Sequence, residues 1–183
     1  MKYVATTPQE IDSTVAEFCR SIEPQHQPLF VDVAPDDAAM MGACYLNVAD
    51  YVAINGGELQ YGWLIWQLTG IYLTAEHHAV VRKGEALIDI TPPLGGERRV
   101  LFLPSALAWS GKPITNKYAP VKSTPLTQRV CELQLRNCEL FNSGRFGTNE
   151  FYANDVEATV LIDRFYRIKR SRELDKRRRK SRR

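Results

Sequence analysis

Apolar residues first recur at helical spacing behind Thr7-Pro8-Gln9-Glu10, where Ile11, Val15, Phe18, Cys19 and Ile22 fall on one face. The leading tetrad reads as a capping box with Pro at the first helical position, so the pattern predicts a helix that ends before Pro24. Leu29 to Val33 is a short extended run between Pro28 and Pro35. Asp36 to Met41 then leads into Gly42-Ala43-Cys44 and a second helical pattern, with Tyr45, Val48, Ala49 and Val52 on one face and Asn55-Gly56-Gly57 as its stop. Cys44 therefore falls at or near the first turn of that helix.

The period changes after Gly57. Leu59 to Gln67, Ile71 to Arg82, Glu85 to Thr91 and Arg99 to Leu103 are rich in Val, Ile, Leu, Tyr and Trp, with turn residues Gly70, Lys83-Gly84 and Pro92 to Gly96 between them. The spacing predicts an antiparallel meander of about four strands. A loop from Pro104 to Thr124 leads to a helix over Pro125 to Phe141, and Asn154 or Asp155 caps a last helix whose apolar residues end near Ile168. The expected fold class is α+β: a helix carrying the cysteine, packed on an antiparallel β-sheet, with C-terminal helices. Residues 1–168 form the expected domain and residues 169–183 a basic C-terminal tail, whose run from Lys176 to Arg183 is expected to fray.

Charge sharpens that division. The 183-residue chain has a net charge of +3, yet the last twenty residues hold 12 of its 24 Lys and Arg and only Glu173 and Asp175 of its 21 acids. The tail thus carries +10 and the rest of the chain −7. Such a tail is attracted to nucleic acid or another polyanion, or serves as a solvated helix end. At 44% hydrophobic and 25% charged the composition is that of a folded globular protein and excludes disordered or collagen-like chains. The densest apolar run, around Trp63 to Trp66, is broken by Gln60, Gln67 and Thr69, so no membrane span is expected. The first seven residues lack a secretory h-region, and a cytoplasmic protein is expected.

The four cysteines, Cys19, Cys44, Cys131 and Cys138, form no CxxC pair, so neither a zinc site nor a disulfide framework is signalled, and no cofactor is expected. Cys131 and Cys138 are seven apart in a helical segment and share a face as small apolar groups. Trp63 and Trp66 lie three apart in a strand, on opposite faces, which makes one a core residue and the other a candidate wall of a cleft.

His77-His78 and Asp89 give Cys44 its chemistry. If Lys83-Gly84 is a two-residue hairpin turn, Arg82 pairs with Glu85 and His78 faces Asp89 directly, with Cβ atoms roughly 4.5 to 5.5 Å apart. A three-residue turn would instead set His77 opposite Asp89. A thiol is a weak nucleophile until a helix N-terminus and a neighbouring imidazolium favour its thiolate. The aspartate would fix the imidazole tautomer while the histidine carries the proton, and the Cys44 N–H would face the developing oxyanion. Taken singly, a cysteine at a helix start is more often a small core residue, and His77, pointing the other way, a satisfied packing residue. Glu76, His78 and Asp89 share a face and could instead form a carboxylate, histidine, carboxylate metal set, though catalytic sets of that kind commonly use two histidines.

Gly42-Ala43-Cys44 opening a helix, His78-Ala79-Val80-Val81 on a strand and Leu87-Ile88-Asp89-Ile90-Thr91-Pro92 on the next resemble the transglutaminase-like branch of the papain-like cysteine enzymes. The branch has Gly-x-Cys at a helix start, a His-Ala-Trp-like strand and an Asp-Pro-Thr-like strand end. Val80 stands here where an aromatic residue is usual, and Ile90 where proline is usual. The resemblance, over residues 42–92, implies a papain-like fold and a catalytic triad of Cys44, His78 and Asp89. It implies acyl transfer on a peptide or protein amide: hydrolysis, deamidation or transamidation. The branch also includes inactive members, so the alternative is an inactive binding module that engages nucleic acid or another polyanion through its basic C-terminal helix.

Overall fold

The computed structural model describes residues 3–180 and contains four helices and six strands among them. In chain order these are α1 (Ser13–Ile22), β1 (Leu29–Val33), α2 (Cys44–Asn55), β2 (Glu58–Leu68), β3 (Tyr72–Lys83), β4 (Ala86–Asp89), β5 (Arg99–Pro104), β6 (Lys117–Pro120), α3 (Pro125–Asn142) and α4 (Asn149–Lys180). The class is α+β, and no helix among the described residues is long and apolar enough to cross a membrane.

The sheet is not a meander. β2 and β3 form a long antiparallel hairpin and β3 pairs antiparallel with β4, but β1 enters between β4 and β5, parallel to β4 and antiparallel to β5. β5 then returns to β2, so β2, β5, β1, β4 and β3 close into a ring. Strand periodicity marks which segments are extended but not which neighbours they choose, and this insertion is a long-range event. Val31, Leu64, Val80, Val100 and Phe102, with Val33, Trp66 and Leu87 against them, draw on all five strands and fill the ring. Gly62 makes room for that filling: a Cβ there would lie 2.3 Å from the Phe102 ring and 2.4 Å from the Leu103 carbonyl oxygen.

The helices cover the outside. Val15, Phe18 and Cys19 of α1 pack on Trp63, Ile65, Leu73, Ala75, Leu101 and Leu103. Val48 of α2 packs on Ala79, Val81 and Ile90. Val130 and Cys131 of α3 and Ile162 of α4 close over Leu68, Ile71 and Tyr72. The expected faces of α1 and α2 are thus largely met, but α1 begins later than the Thr7-Pro8 signal suggests. Asp12 is its N-cap, accepting the Val15 N–H at 2.9 Å, and Ile11 is left 39% exposed ahead of the helix. Thr6 instead bridges to Gln67, which extends the chain through the apparent capping box.

Two further departures are local. The expected loop after Pro104 contains β6, which pairs with the first residues of β3. α4 starts at Asn149 rather than at Asn154 or Asp155 and continues as one 32-residue helix through Lys180. The stretch expected to fray is therefore helical up to Lys180, while Ser181, Arg182 and Arg183 lie outside the described residues. α3 follows its sequence signal closely, with Thr124 and Thr127 forming a reciprocal capping box ahead of Pro125.

Candidate active site

Cys44 is the first residue of α2, and the residue before it, Ala43, offers no side chain to cap the helix. The first-turn N–H groups are thereby left open, since a helix start has no internal partners for them. The same end is held rigidly from behind by Asn47. Its Oδ1 accepts the Met40 N–H at 2.9 Å, while its Nδ2 donates to the Met40 carbonyl at 2.8 Å and to Thr91 Oγ1 at 3.1 Å. Asn47 is buried and ties the loop before the cysteine to the segment after the aspartate.

His78 and Asp89 meet inside the ring, with His78 Nε2 3.0 Å from Asp89 Oδ2 and both residues buried. The other aspartate oxygen, Oδ1, accepts the Thr91 N–H at 2.9 Å, so the carboxylate is held at both ends. The register differs from the expected one. Lys83 pairs with Ala86, Arg82 with Leu87 and Val81 with Ile88, so the turn is Gly84-Glu85, with Gly84 at φ +60° in the glycine-first position of a two-residue hairpin. Continuing that register sets Val80 opposite Asp89 and makes His78 a diagonal neighbour on the same face.

The Cys44 side chain acts on His78 as well and favours its protonated form. Because Nε2 is engaged by Asp89, the ring nitrogen left for the thiol is Nδ1. The meeting is possible because β3 is paired along its second edge only at its two ends, with β6 at Tyr72 to Ala75 and with β4 at Val81 to Lys83. Between those pairings the edge is open, and α2 reaches His78 there. Burial alone would lower the His78 imidazole, but the hydrogen bond to Asp89 and the Cys44 side chain, with the charge of each, hold it well above its ordinary value, at about 10. Cys44 is itself buried, 8% exposed, where it lines the cleft, and burial raises the other three thiols, Cys19 to about 12, Cys131 to about 11 and Cys138 also upward.

His77 points away from this set. It is enclosed by the rings of Tyr45, Tyr61 and Trp63. Its Nε2 lies 2.8 Å from the Leu107 carbonyl and its Nδ1 2.9 Å from the Tyr45 hydroxyl. Burial foremost lowers its basicity, and a neutral ring that donates from Nε2 and accepts at Nδ1 satisfies both contacts. Glu76 turns to Trp66, whose Nε1 donates to it at 3.0 Å, and among the described residues no group of three His, Cys, Asp or Glu is placed to hold a metal ion.

Cys44, His78 and Asp89 line a cleft of about 890 Å³. Met41, Leu46, Trp66, Leu94 and Trp109 give it apolar walls, with Trp109 stacked on Tyr45 at 4.6 Å between ring centres. Trp63 is a 2% exposed core residue and Trp66 a cleft wall, the division their spacing implies. Glu76 and Glu97 are the lining carboxylates besides Asp89, and no Lys or Arg lines the cleft among the described residues. The field thus disfavours an anionic substrate. Sequence reasoning missed Asn47, whose position three residues after Cys44 was its only signal, and Tyr45, whose one hydroxyl proton is shared between His77 Nδ1 and the open-edge carbonyl of His77, 3.0 Å away.

Compared with family models, with curated proteins and with solved structures, the chain matches none.

Proposed function

We propose that this chain is a cysteine-dependent acyl-transfer enzyme of papain-like, transglutaminase-like type, acting on an amide bond through Cys44, His78 and Asp89. The observation that carries the reading is the shared imidazole: His78 is bonded by Asp89 at Nε2 and raised by both Asp89 and Cys44, and all three line one cleft. A structural histidine needs one satisfied contact and no thiol beside it, whereas a nucleophile, its base and the group that orients the base need this order.

In this reaction the proton of the Cys44 thiol rests on His78, whose imidazole is held protonated beside Asp89, and the sulfur attacks the substrate carbonyl carbon. The carbonyl oxygen takes the negative charge and is met by the open first-turn N–H of Cys44. The amide C–N bond breaks as the imidazolium returns the proton to the departing nitrogen, leaving an acyl thioester. Water or an amine then loses a proton to His78 as it attacks the thioester, and the thiol is regenerated. Asp89 holds the ring and offsets its charge throughout.

Labelling with a peptidyl vinyl sulfone, read by mass spectrometry, tests the reading. Cys44 is expected to take the label ahead of Cys19, Cys131 and Cys138, and the label is expected to be lost in Cys44→Ser and slowed at least tenfold in His78→Ala. Equal labelling in His78→Ala would leave an ordinary accessible thiol and favour the inactive binding module.

A further inference from the structure

We infer that the exposed end of α4 is a docking rod for double-stranded DNA, seated in the major groove and held by phosphates of both strands. The inference rests on α4 alone and is independent of Cys44.

The buried residues of α4, Ala158 and Ile162, sit in its first half, and every residue from Arg167 to Lys180 is exposed. That stretch carries nine Lys and Arg against Glu173 and Asp175. A helix with no buried face gains nothing from packing, and like charges along it oppose its formation. Its favourable setting is beside a dense array of negative charge.

The distribution of the charges selects among anionic partners. At about 100° per residue, Arg167, Lys169, Arg170, Arg172 and the run from Lys176 to Lys180 point to all sides of the helix. A flat anionic bilayer would meet one side only. Ile168 and Leu174, roughly 240° apart around the axis, make no apolar face for insertion. A groove walled by phosphates on both sides meets the charges all round. The exposed run is about 21 Å long and about 10 to 12 Å wide with its side chains. B-form DNA has a major groove about 12 Å wide that admits a helix, whereas the major groove of A-form RNA is too narrow for side chains to read. Ser171 is the one uncharged hydrogen-bonding side chain in the stretch, so the contacts expected are to the backbone rather than to base edges.

The test is fluorescence anisotropy of the full chain against four probes: a DNA duplex of about 24 base pairs, an RNA duplex of the same sequence, one of the DNA strands, and vesicles of phosphatidylserine and phosphatidylcholine. The DNA duplex should bind at least tenfold more tightly than any other probe. Its affinity should fall by about 10³-fold between 50 and 200 mM salt, the loss expected when about six phosphates are neutralised. The triple variant Arg172→Ala, Lys176→Ala, Arg179→Ala should bind DNA at least tenfold more weakly, with a log–log salt slope shallower by about 3 and an unchanged melting temperature. Arg172→Lys with Arg179→Lys, which keeps the charge, should bind as wild type. Absence of duplex binding at 50 mM salt overturns the proposal. So does equal or tighter binding of any other probe, or wild-type affinity in the triple variant.

Discussion

His78 Nε2 lies 3.0 Å from Asp89 Oδ2 although the two residues are not cross-strand partners: the β3–β4 register, continued by one step, sets Val80 opposite Asp89. The contact is diagonal, and a long side chain on each strand spans it. Asp89 is itself fixed from the other side by the Thr91 N–H, so its free oxygen has one direction to face.

Asp89→Asn is accordingly expected to impair catalysis more than folding. The asparagine keeps an oxygen for the Thr91 N–H but presents an N–H to His78 Nε2, which must then accept. The ring can then carry a proton only at Nδ1 and has no carboxylate to hold it charged, so it keeps the thiol's proton less well. On the amide substrate that serves the wild type, kcat should fall by about 10²- to 10⁴-fold with KM little changed. A melting curve near wild type would separate this from unfolding; unchanged kcat would remove Asp89 from the machinery.

The histidine's raised value has a consequence for stability. Its imidazole sits near 6.5 in an unfolded chain and at about 10 in the folded one, so the folded protein holds the proton over a range where the unfolded one has lost it. Stability from this group is fully present below pH 6.5 and is lost as pH rises from there through about 10. The urea midpoint of wild type should therefore decline relative to that of His78→Gln across that window. A constant difference between the two curves would mean that His78 is not held protonated by its partners.

The faces of the site were legible in the sequence because side chains on a strand alternate with a period of two. The actual turn is displaced by one residue from Lys83-Gly84, which moves the pairing by two positions and leaves His78 on the face of Asp89. The neighbours of β1 were not legible, since nothing local in Leu29 to Val33 says that it will part β4 from β5. Thr7-Pro8 misled for a similar reason: its capping chemistry is real, but a bridge from Thr6 to Gln67 and the competing Asp12 cap moved the helix start.

Asn47 is a positioning residue whose removal should be felt at both ends of the site. Asn47→Ala loses three hydrogen bonds and leaves the Met40 backbone groups and the Thr91 hydroxyl without it, so a loss of about 2 to 4 kcal/mol is expected in urea titration. At temperatures where the variant remains folded, Cys44 labelling should slow, because the loop that sets the helix start is untied. Rapid wild-type labelling in a destabilised variant would limit Asn47 to a folding role.

Removal of the residues beyond Ser171 should leave the body's stability unchanged. The argument is one of burial: α4 is anchored by Ala158 and Ile162, assisted by Leu161, Phe165 and Tyr166 against the α3 cluster, and all of these precede the cut. Every described residue after the cut is exposed, including Leu174, which is 50% exposed, so no apolar area is returned to water by the deletion. Exposed charges contribute little, with a median of about 0 to 1 kcal/mol even where they are paired. The deletion also relieves the helix of the run from Lys176 to Lys180, whose mutual repulsion opposes it. The melting temperature of the shortened chain should lie within about 2 °C of wild type, a shift that for a chain of this size corresponds to about 0.5 to 1 kcal/mol. Cys44 labelling should proceed at the wild-type rate. A substantial fall in melting temperature would show that the arm rests on the acidic body, and that fall should then shrink as salt is raised.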